Sequence, residues 1–407
     1  MLGWSAQPGR LSYTATLQPG GMWAVPKLLP RAIGYAGFAL QPYARSRALM
    51  VAKVRGGEDR SVRYRIGTAL GTSAGDFGRF TTVDSGRRSA GAYASRSLSI
   101  PMLAVNARGD AIAAWMRYVR GVASVRVAER DAGHPFSRRR TLGRTQPFPT
   151  AVYFSGYRVP AAVAIDARGN RVVAWYHERR IKARIRHAGG RWGPVRRIGR
   201  AVHPPPTVSA AASRGGFLVA WGTLAQSKAG RVFEQAAALR PAGGRWTAWR
   251  LERFVTAPGA PFATAERELA AAFDSTGQGV AAWTGALAGH AAVKVAVSSG
   301  RRFGPTQVLS GARGARLGGL AAGPAGKLAV SWREETGEEL EQTVPYARVG
   351  SRGGGFSPAE MVGRCSGSRF CSAGDVKIAF DPVSAQPTAA WVERMDAGYI
   401  VLSATRR

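Results

Sequence analysis

The sequence predicts an all-β protein, a seven-bladed β-propeller of four-stranded antiparallel blades. Three observations predict it. A unit of four short β-type runs, plainest at residues 157–200, recurs along the chain. An apolar run ending in or near Ala-Trp recurs at Trp115, Trp175, Trp221, Trp283, Trp332 and Trp391, at intervals of 60, 46, 62, 49 and 59 residues. An aromatic residue also precedes a last β-type run at Phe77, Phe136, Trp192, Trp246, Phe303 and Phe356. Self-similarity at a period of tens of residues is the mark of a repeat architecture.

The elements of the unit follow in order. PAAVAIDA (160–167) is nearly continuously apolar, as befits a strand covered on both faces. Arg168-Gly169-Asn170 supplies a tight turn, because Gly and Asn tolerate positive φ. RVVAWYHE (171–178) is β-branched and carries Trp175, and IKARIRHA (181–188) alternates apolar and basic residues, which leaves one face wet. A second turn at Ala188-Gly189-Gly190 leads into RWGPVRRIG (191–199), where Pro194 is tolerable only on an edge strand. Four antiparallel strands ending at an edge make one propeller blade.

Complete blades are expected at about 31–85, 92–145, 157–200, 205–255, 264–311 and 314–363, all within a single monomeric domain spanning 1–407. In the first, RALMVAK places Lys53 where the Trp would stand. Residues 373–407 hold three strand-like runs and no fourth, while GMWAVPKLL (21–29) has the fourth-strand pattern, with Trp23 and Pro26. Pairing of 21–29 against 398–405 would close the last blade and remove an open sheet edge. LSYTATL (11–17) and Trp4 are strand-like material beyond that need.

The recurrent aromatics serve packing. Each Trp buries on the order of 150–250 Å² between blades, about 4–6 kcal/mol at roughly 25 cal/mol/Å². Asn106, Asp166, Asp274 and Asp381 open the first turn of their blades, where an Asx side chain can accept hydrogen bonds from turn N–H groups.

Charge is the anomaly of composition: 58 Lys+Arg against 24 Asp+Glu gives +34, and only seven of the basic residues are lysines. Such a field draws polyanions, an acidic polysaccharide or, by charge alone, nucleic acid; the alternative is a coding bias that places Arg wherever a solvent-facing position accepts anything. Cys365 and Cys371, in the loop CSGSRFC, are expected to form a local disulfide and so to indicate an oxidising compartment, extracellular or in the cell envelope. Two thiols without a nearby His or second pair do not make a zinc site. No apolar run approaches the roughly 18 residues of a transmembrane helix, and the first residues lack a signal pattern, so export requires a start upstream of Met1. No nucleotide fingerprint indicates a cofactor, and His134, His177, His187, His203 and His290 show no metal-ligand spacing. GTSAG (71–75) matches a nucleophile elbow around Ser73 but lies in a strand-to-strand hairpin, where that motif has no meaning. No catalytic residue is assigned.

Two segments are candidates for binding. GRTQPFPTAVYFSGYR (143–158) gathers Arg144, Tyr153, Phe154, Tyr157 and Arg158; aromatics interleaved with Arg suit stacking on sugars or bases. REETGEELE (333–341) is the one acidic cluster, with Glu334, Glu335 and Glu338, and reads as a cation or basic-partner site or as a solvated loop.

Tyr157-Arg158-Val159-Pro160, followed by an apolar strand, a Gly turn and a second apolar strand, resembles the Phe/Tyr-Arg-Ile-Pro opening of sialidases. The hairpins HAGGRW (187–192), PAGGRW (241–246) and SAGDFGRF (73–80) resemble degenerate sialidase Asp-boxes. The resemblance implies that Arg158 clamps a substrate carboxylate, a task suited to a bidentate guanidinium. Only Arg158 carries over, since most of these hairpins lack the Asp and the family's rings normally have six blades. Two readings therefore stand: a non-enzymatic binding module for an acidic ligand or partner, and a sialidase-like glycoside hydrolase using Arg158.

Overall fold

Short apolar runs punctuated by Gly, Asn and Asp can form strands and tight turns but no long helix. In a computed structural model the described residues are accordingly all strand and turn, with one 3-10 turn at Pro324–Gly326. The structure describes residues 2–6, 11–15, 27–28, 38–43, 47–56, 63–72, 76–86, 98–119, 122–145, 161–201, 207–227, 230–256, 268–311, 314–335, 343–351, 355–363, 372–373, 376–380, 385–395 and 398–405. The chain divides into two compact units, Met1–Arg197 and Ile198–Arg407.

The first unit begins with a three-stranded antiparallel sheet of Leu2–Ala6, Leu11–Ala15 and Lys27–Leu28. Three four-stranded meanders follow. The first is Phe38–Pro42, Arg47–Gly56, Arg63–Thr72 and Thr81–Gly86; the second is Met102–Val105, Ala111–Val119, Val122–Arg130 and Arg140–Thr145. The third is Ala161–Ile165, Arg171–His177, Arg180–Arg186 and Arg196–Arg200, its last strand crossing the unit boundary. The second unit opens with the fourth meander, Thr207–Ser213, Gly216–Ser227, Gly230–Arg240 and Thr247–Thr256. In the fifth (Leu269–Phe273, Gly279–Leu287, His290–Ser299) the fourth position is split into Arg302–Phe303 and Gln307–Val308. The sixth (Arg316–Ala322, Leu328–Glu335, Thr343–Ser351) is split likewise, into Gly355–Phe356 and Glu360–Met361. A last sheet of Lys377–Phe380, Pro387–Met395 and Gly398–Thr405 joins the sixth through Ser372–Ala373. In strand order these meanders match propeller blades, and their positions match the six repeats of the sequence.

The N-terminus departs from expectation. Residues 21–29 are predicted to pair with 398–405, yet Lys27 and Leu28, the described part of that segment, pair with Thr14 and Tyr13. Leu11–Ala15 in turn pairs with Leu2–Ala6. The strand-like residues left over in the sequence thus form a sheet of their own, because closing a loop of a dozen residues costs less entropy than closing one that spans the chain. Gly398–Thr405 pairs with Pro387–Met395.

Within each unit the core lies between successive meanders. Each second strand is buried along most of its length, and Trp115, Trp175, Trp221, Trp283 and Trp332 are all at most 2% exposed. Four of these indoles reach back to the preceding fourth strand. Trp115 Nε1 donates to Asp84 Oδ2 at 2.9 Å, Trp175 to the Arg144 carbonyl at 3.0 Å, Trp221 to the Arg200 carbonyl at 3.1 Å, and Trp283 to Glu252 Oε2 at 2.5 Å. Two glycines make room: a Cβ on Gly143 would lie 2.7 Å from Trp175, and one on Gly199 would run into the ring of Trp221. The Asx turns are as expected. Asp166 Oδ1 accepts from the N–H groups of Arg168 and Asn170 at 2.9 and 2.8 Å, and Asn106 and Asp274 do the same for their own turns. Asp381 lies outside the described residues.

Lys53, at the position where other meanders carry Trp, is buried opposite Ile66. Burial holds its ammonium at about 8, against an ordinary 10.5.

Two outcomes follow from this packing. Trp175→Ala should destabilise the fold by about 3–5 kcal/mol through the cavity it leaves, and Gly199→Ala should also destabilise, though it adds only a methyl group; urea unfolding followed by far-UV circular dichroism measures both. For Lys53 the unfolded chain binds more protons than the folded one between pH 8 and 10.5. Stability should therefore rise across that window and be lost as pH falls toward 8. Lys53→Met should flatten that rise.

Candidate functional site

Of the residues the sequence nominates, Arg144 lies near the end of the second meander's fourth strand, with its side chain exposed. Tyr153, Phe154, Tyr157 and Arg158 lie outside the described residues, as do Ser73, Glu338, Cys365 and Cys371. Glu334 and Glu335 close the strand Leu328–Glu335, and both are engaged locally. Glu334 Oε1 accepts from Trp332 Nε1 at 2.8 Å and from the Gly311 N–H at 3.0 Å, while Glu335 Oε1 takes Arg316 at 3.1 Å. Among the described residues no group of three or more His, Cys, Asp or Glu is placed to hold a metal ion, and no helix is long and apolar enough to cross a membrane.

The third meander carries the densest charge. Residues 179–197 contain eight Arg and Lys and no Asp or Glu. Period-2 alternation buries Ile181 and Ala183 and sets Arg180, Lys182, Arg184 and Arg186 on the other face. Two of these four are structural. Arg184 donates to the carbonyls of Gly193 and Leu142 at 2.7 and 3.1 Å, and Arg186 to the carbonyl of Gly190 at 2.8 Å and to Glu129 at 2.6 Å. Arg180, Arg191, Arg196 and Arg197 are exposed and have no carboxylate partner among the described residues.

These cations feel one another. Burial first, and then Arg197 and Arg180, lower the Lys182 ammonium below its ordinary range, against the opposing pull of Glu178. Burial and then Arg140 lower the Arg184 guanidinium. Burial, then Lys182 and Arg144, lower the His177 imidazole, again opposed by Glu178.

The tip of this basic face is the two-residue hairpin Glu178-Arg179, joining His177 to Arg180. Both residues take positive φ, 50° and 59°. A turn of this kind favours Asn-Gly, and the matching turn of the fifth meander has Ala288-Gly289 at 47° and 85°. Two consecutive non-glycine residues in the left-handed region store about 1–2 kcal/mol each, a strain that persists where surroundings hold the backbone in place. Those surroundings are visible: Thr145 Oγ1 donates to the Tyr176 carbonyl at 2.6 Å, and Trp175 Nε1 to the Arg144 carbonyl. The two bonds hold the Arg144–Thr145 backbone against Trp175 and Tyr176, the residues just before His177. Glu178 Oε2 sits 3.4 Å from His177 Nε2 and 3.9 Å from Lys182 Nζ. His177 Nδ1 is buried without a hydrogen-bond partner among the described residues.

Sequence reasoning singles out Arg144 but not His177, Glu178 or Lys182. The signal it passes over is HERRIK, a two-residue hairpin with no Gly or Asn in the turn.

No family model matches the chain, and no curated protein matches it. Among solved structures it is similar to an ulvan lyase, with TM-score 0.48 and 11% identity over 92% of this chain and 97% of that one. It is also similar to a fucose-specific lectin from Aleuria aurantia (TM-score 0.36, 13% identity, 75% of this chain and 94% of that one). A glycosyl hydrolase from Bacteroides ovatus gives TM-score 0.32 and 14% identity, over 68% of this chain and 86% of that one. Likeness at this level assigns neither a family nor a ligand.

The strained turn gives a direct expectation. Arg179→Gly should stabilise the protein by about 1 kcal/mol, because glycine adopts positive φ without the Cβ clash; a rise in urea midpoint at unchanged slope is the reading that checks it.

Proposed function

We propose that this chain is a non-enzymatic β-propeller module that binds an acidic ligand, with the basic face of the third meander as its binding surface. One observation carries the reading: eight cationic side chains with no acidic residue across 179–197, five of them (Arg179, Arg180, Arg191, Arg196 and Arg197) exposed without a carboxylate partner among the described residues. Within this stretch Arg197 and Arg180 act on Lys182, and Lys182 and Arg144 act on His177, each after burial itself. A rigid antiparallel sheet holds such cations at fixed spacing, which suits a linear polymer carrying carboxylates or sulfates, an acidic polysaccharide above all. Arg144 lies at the edge of this face, and the aromatic segment 146–158 directly follows it in the chain. Export to the cell surface or beyond belongs to the same reading, since acidic polysaccharides are met there.

Retention on a heparin column across a salt series tests it. Affinity should fall steeply with salt, because every ion pair formed with the polymer releases a counterion. Replacing Arg180, Arg196 and Arg197 together by Ala should lower the log–log slope by about one for each ion pair removed. Salt-independent indifference to heparin, or a triple variant that behaves as wild type, would overturn the proposal. So would turnover of a fluorogenic sialoside that disappears in Arg158→Ala, which would establish the sialidase-like reading instead.

A further inference from the structure

At the tip of the basic face, one carboxylate stands where a ligand anion would be expected. Glu178 places Oε2 within 3.4 Å of His177 Nε2 and 3.9 Å of Lys182 Nζ, yet its own side chain is 71% exposed. His177 and Lys182 are well enclosed by comparison, at 16% and 18% exposed. Two shielded cationic or potentially cationic groups are thus capped by a loosely held anion from the same chain. The cap sits on a turn whose backbone is strained at both residues, Glu178 and Arg179. Arg144, presented from the second meander, is the third group acting on the imidazole.

We infer that His177, Lys182 and Arg144 form a subsite for a single sulfate or carboxylate group, and that Glu178 occupies it as an internal substitute until the ligand displaces it. The subsite rests on the polyanion-binding reading and deepens it, naming where one ligand charge is read individually rather than through the summed field. Its chemistry is a charge-assisted triad. Lys182 supplies a point charge, Arg144 a planar fork, and His177 a ring that becomes a donor at both nitrogens once protonated. In the resting arrangement Glu178 favours the imidazolium while Lys182, Arg144 and burial oppose it. Inorganic sulfate carries two charges where a polymer's sulfate ester or carboxylate carries one; on entering among the three groups it tips that balance, and the ring takes up a proton as it binds. Glu178, on an exposed turn, can swing into solvent at little cost. The substitution of one anion for another makes binding selective for groups that outcompete a carboxylate already tethered in place.

The test uses the intact protein, with inorganic sulfate as probe and chloride at matched ionic strength as reference, followed through the His177 ring signals by NMR. His177→Gln identifies those signals among the five histidines. Sulfate should shift them saturably and raise the pH at which the ring titrates, whereas chloride should not. Glu178→Gln should tighten the sulfate response by about tenfold, the effect of removing one competing charged group. Lys182→Met should abolish it. Glu234→Gln, which changes the net charge equally on the strand Gly230–Arg240, is the control and should titrate as wild type. A Glu178→Gln response equal to that of Glu234→Gln would overturn the inference, as would a His177 ring indifferent to sulfate in Glu178→Gln. The two proposals fail separately: heparin retention with a mute His177 ring sinks only the subsite, while a sulfate-responsive ring without heparin retention sinks only the polymer reading.

Discussion

The interaction on which much of the structure depends is an indole lodged against the preceding fourth strand. In the second, third, fourth and fifth meanders the second-strand Trp is fully buried and its N–H is satisfied by that strand. A buried N–H left unpaired would forfeit about 1–3 kcal/mol, so the hydrogen bond and the packing are coupled. The interaction joins one repeat to the next, and so fixes the spacing of meanders that share no strand. Gly143 and Gly199 belong to the same constraint, since any side chain there would meet the ring.

Two of these indoles find a carboxylate acceptor, Asp84 and Glu252, and a third carboxylate, Glu129, takes the indole of Trp192. Asp84 is completely enclosed and takes Trp115 together with Arg117, Arg126 and Arg139 at 3.0, 3.4 and 3.1 Å. Glu252 takes Trp283 and, at 2.5 Å, Lys294. Glu129 takes Trp192 at 3.0 Å, buried Arg171 at 3.3 Å and Arg186 at 2.6 Å. Each of these carboxylates, in a buried setting of low dielectric, must be matched by donors, and the surplus Arg supplies them. Asp84, Glu129 and Glu252 together engage Arg117, Arg126, Arg139, Arg171, Arg186 and Lys294, so these clusters take up basic as well as acidic side chains.

The third meander carries the basic face. Its own structural cations, Arg184 and Arg186, are held by carbonyls and by Glu129 from the second meander. Among the described residues the remaining cations, Arg179, Arg180, Arg191, Arg196 and Arg197, are exposed to solvent, while Lys182 lies beside Glu178. A rigid sheet cannot relax repulsion between like charges by rearranging its backbone, so the potential remains available to an outside anion.

The sequence by itself determined the all-β class, the meander repeat, the Trp core and the Asx turns at Asn106, Asp166 and Asp274, because each depends on a short-range pattern: alternation, turn chemistry, or one large side chain at a repeating position. It assigned Lys27–Leu28 to the edge at 398–405, because a fourth-strand pattern suits any open edge; the nearer edge at Leu11–Ala15 was decided in the fold by loop length. Nor could it find His177, Glu178 and Lys182, which are ordinary strand residues until the backbone of Arg144, 33 positions before His177, and of Thr145 is held against Trp175 and Tyr176 by hydrogen bonds. Charge density is readable along a chain. Which charges share a face, and which carboxylate already sits among them, depends on strand register and side-chain direction, and these are settled only when meander packs on meander.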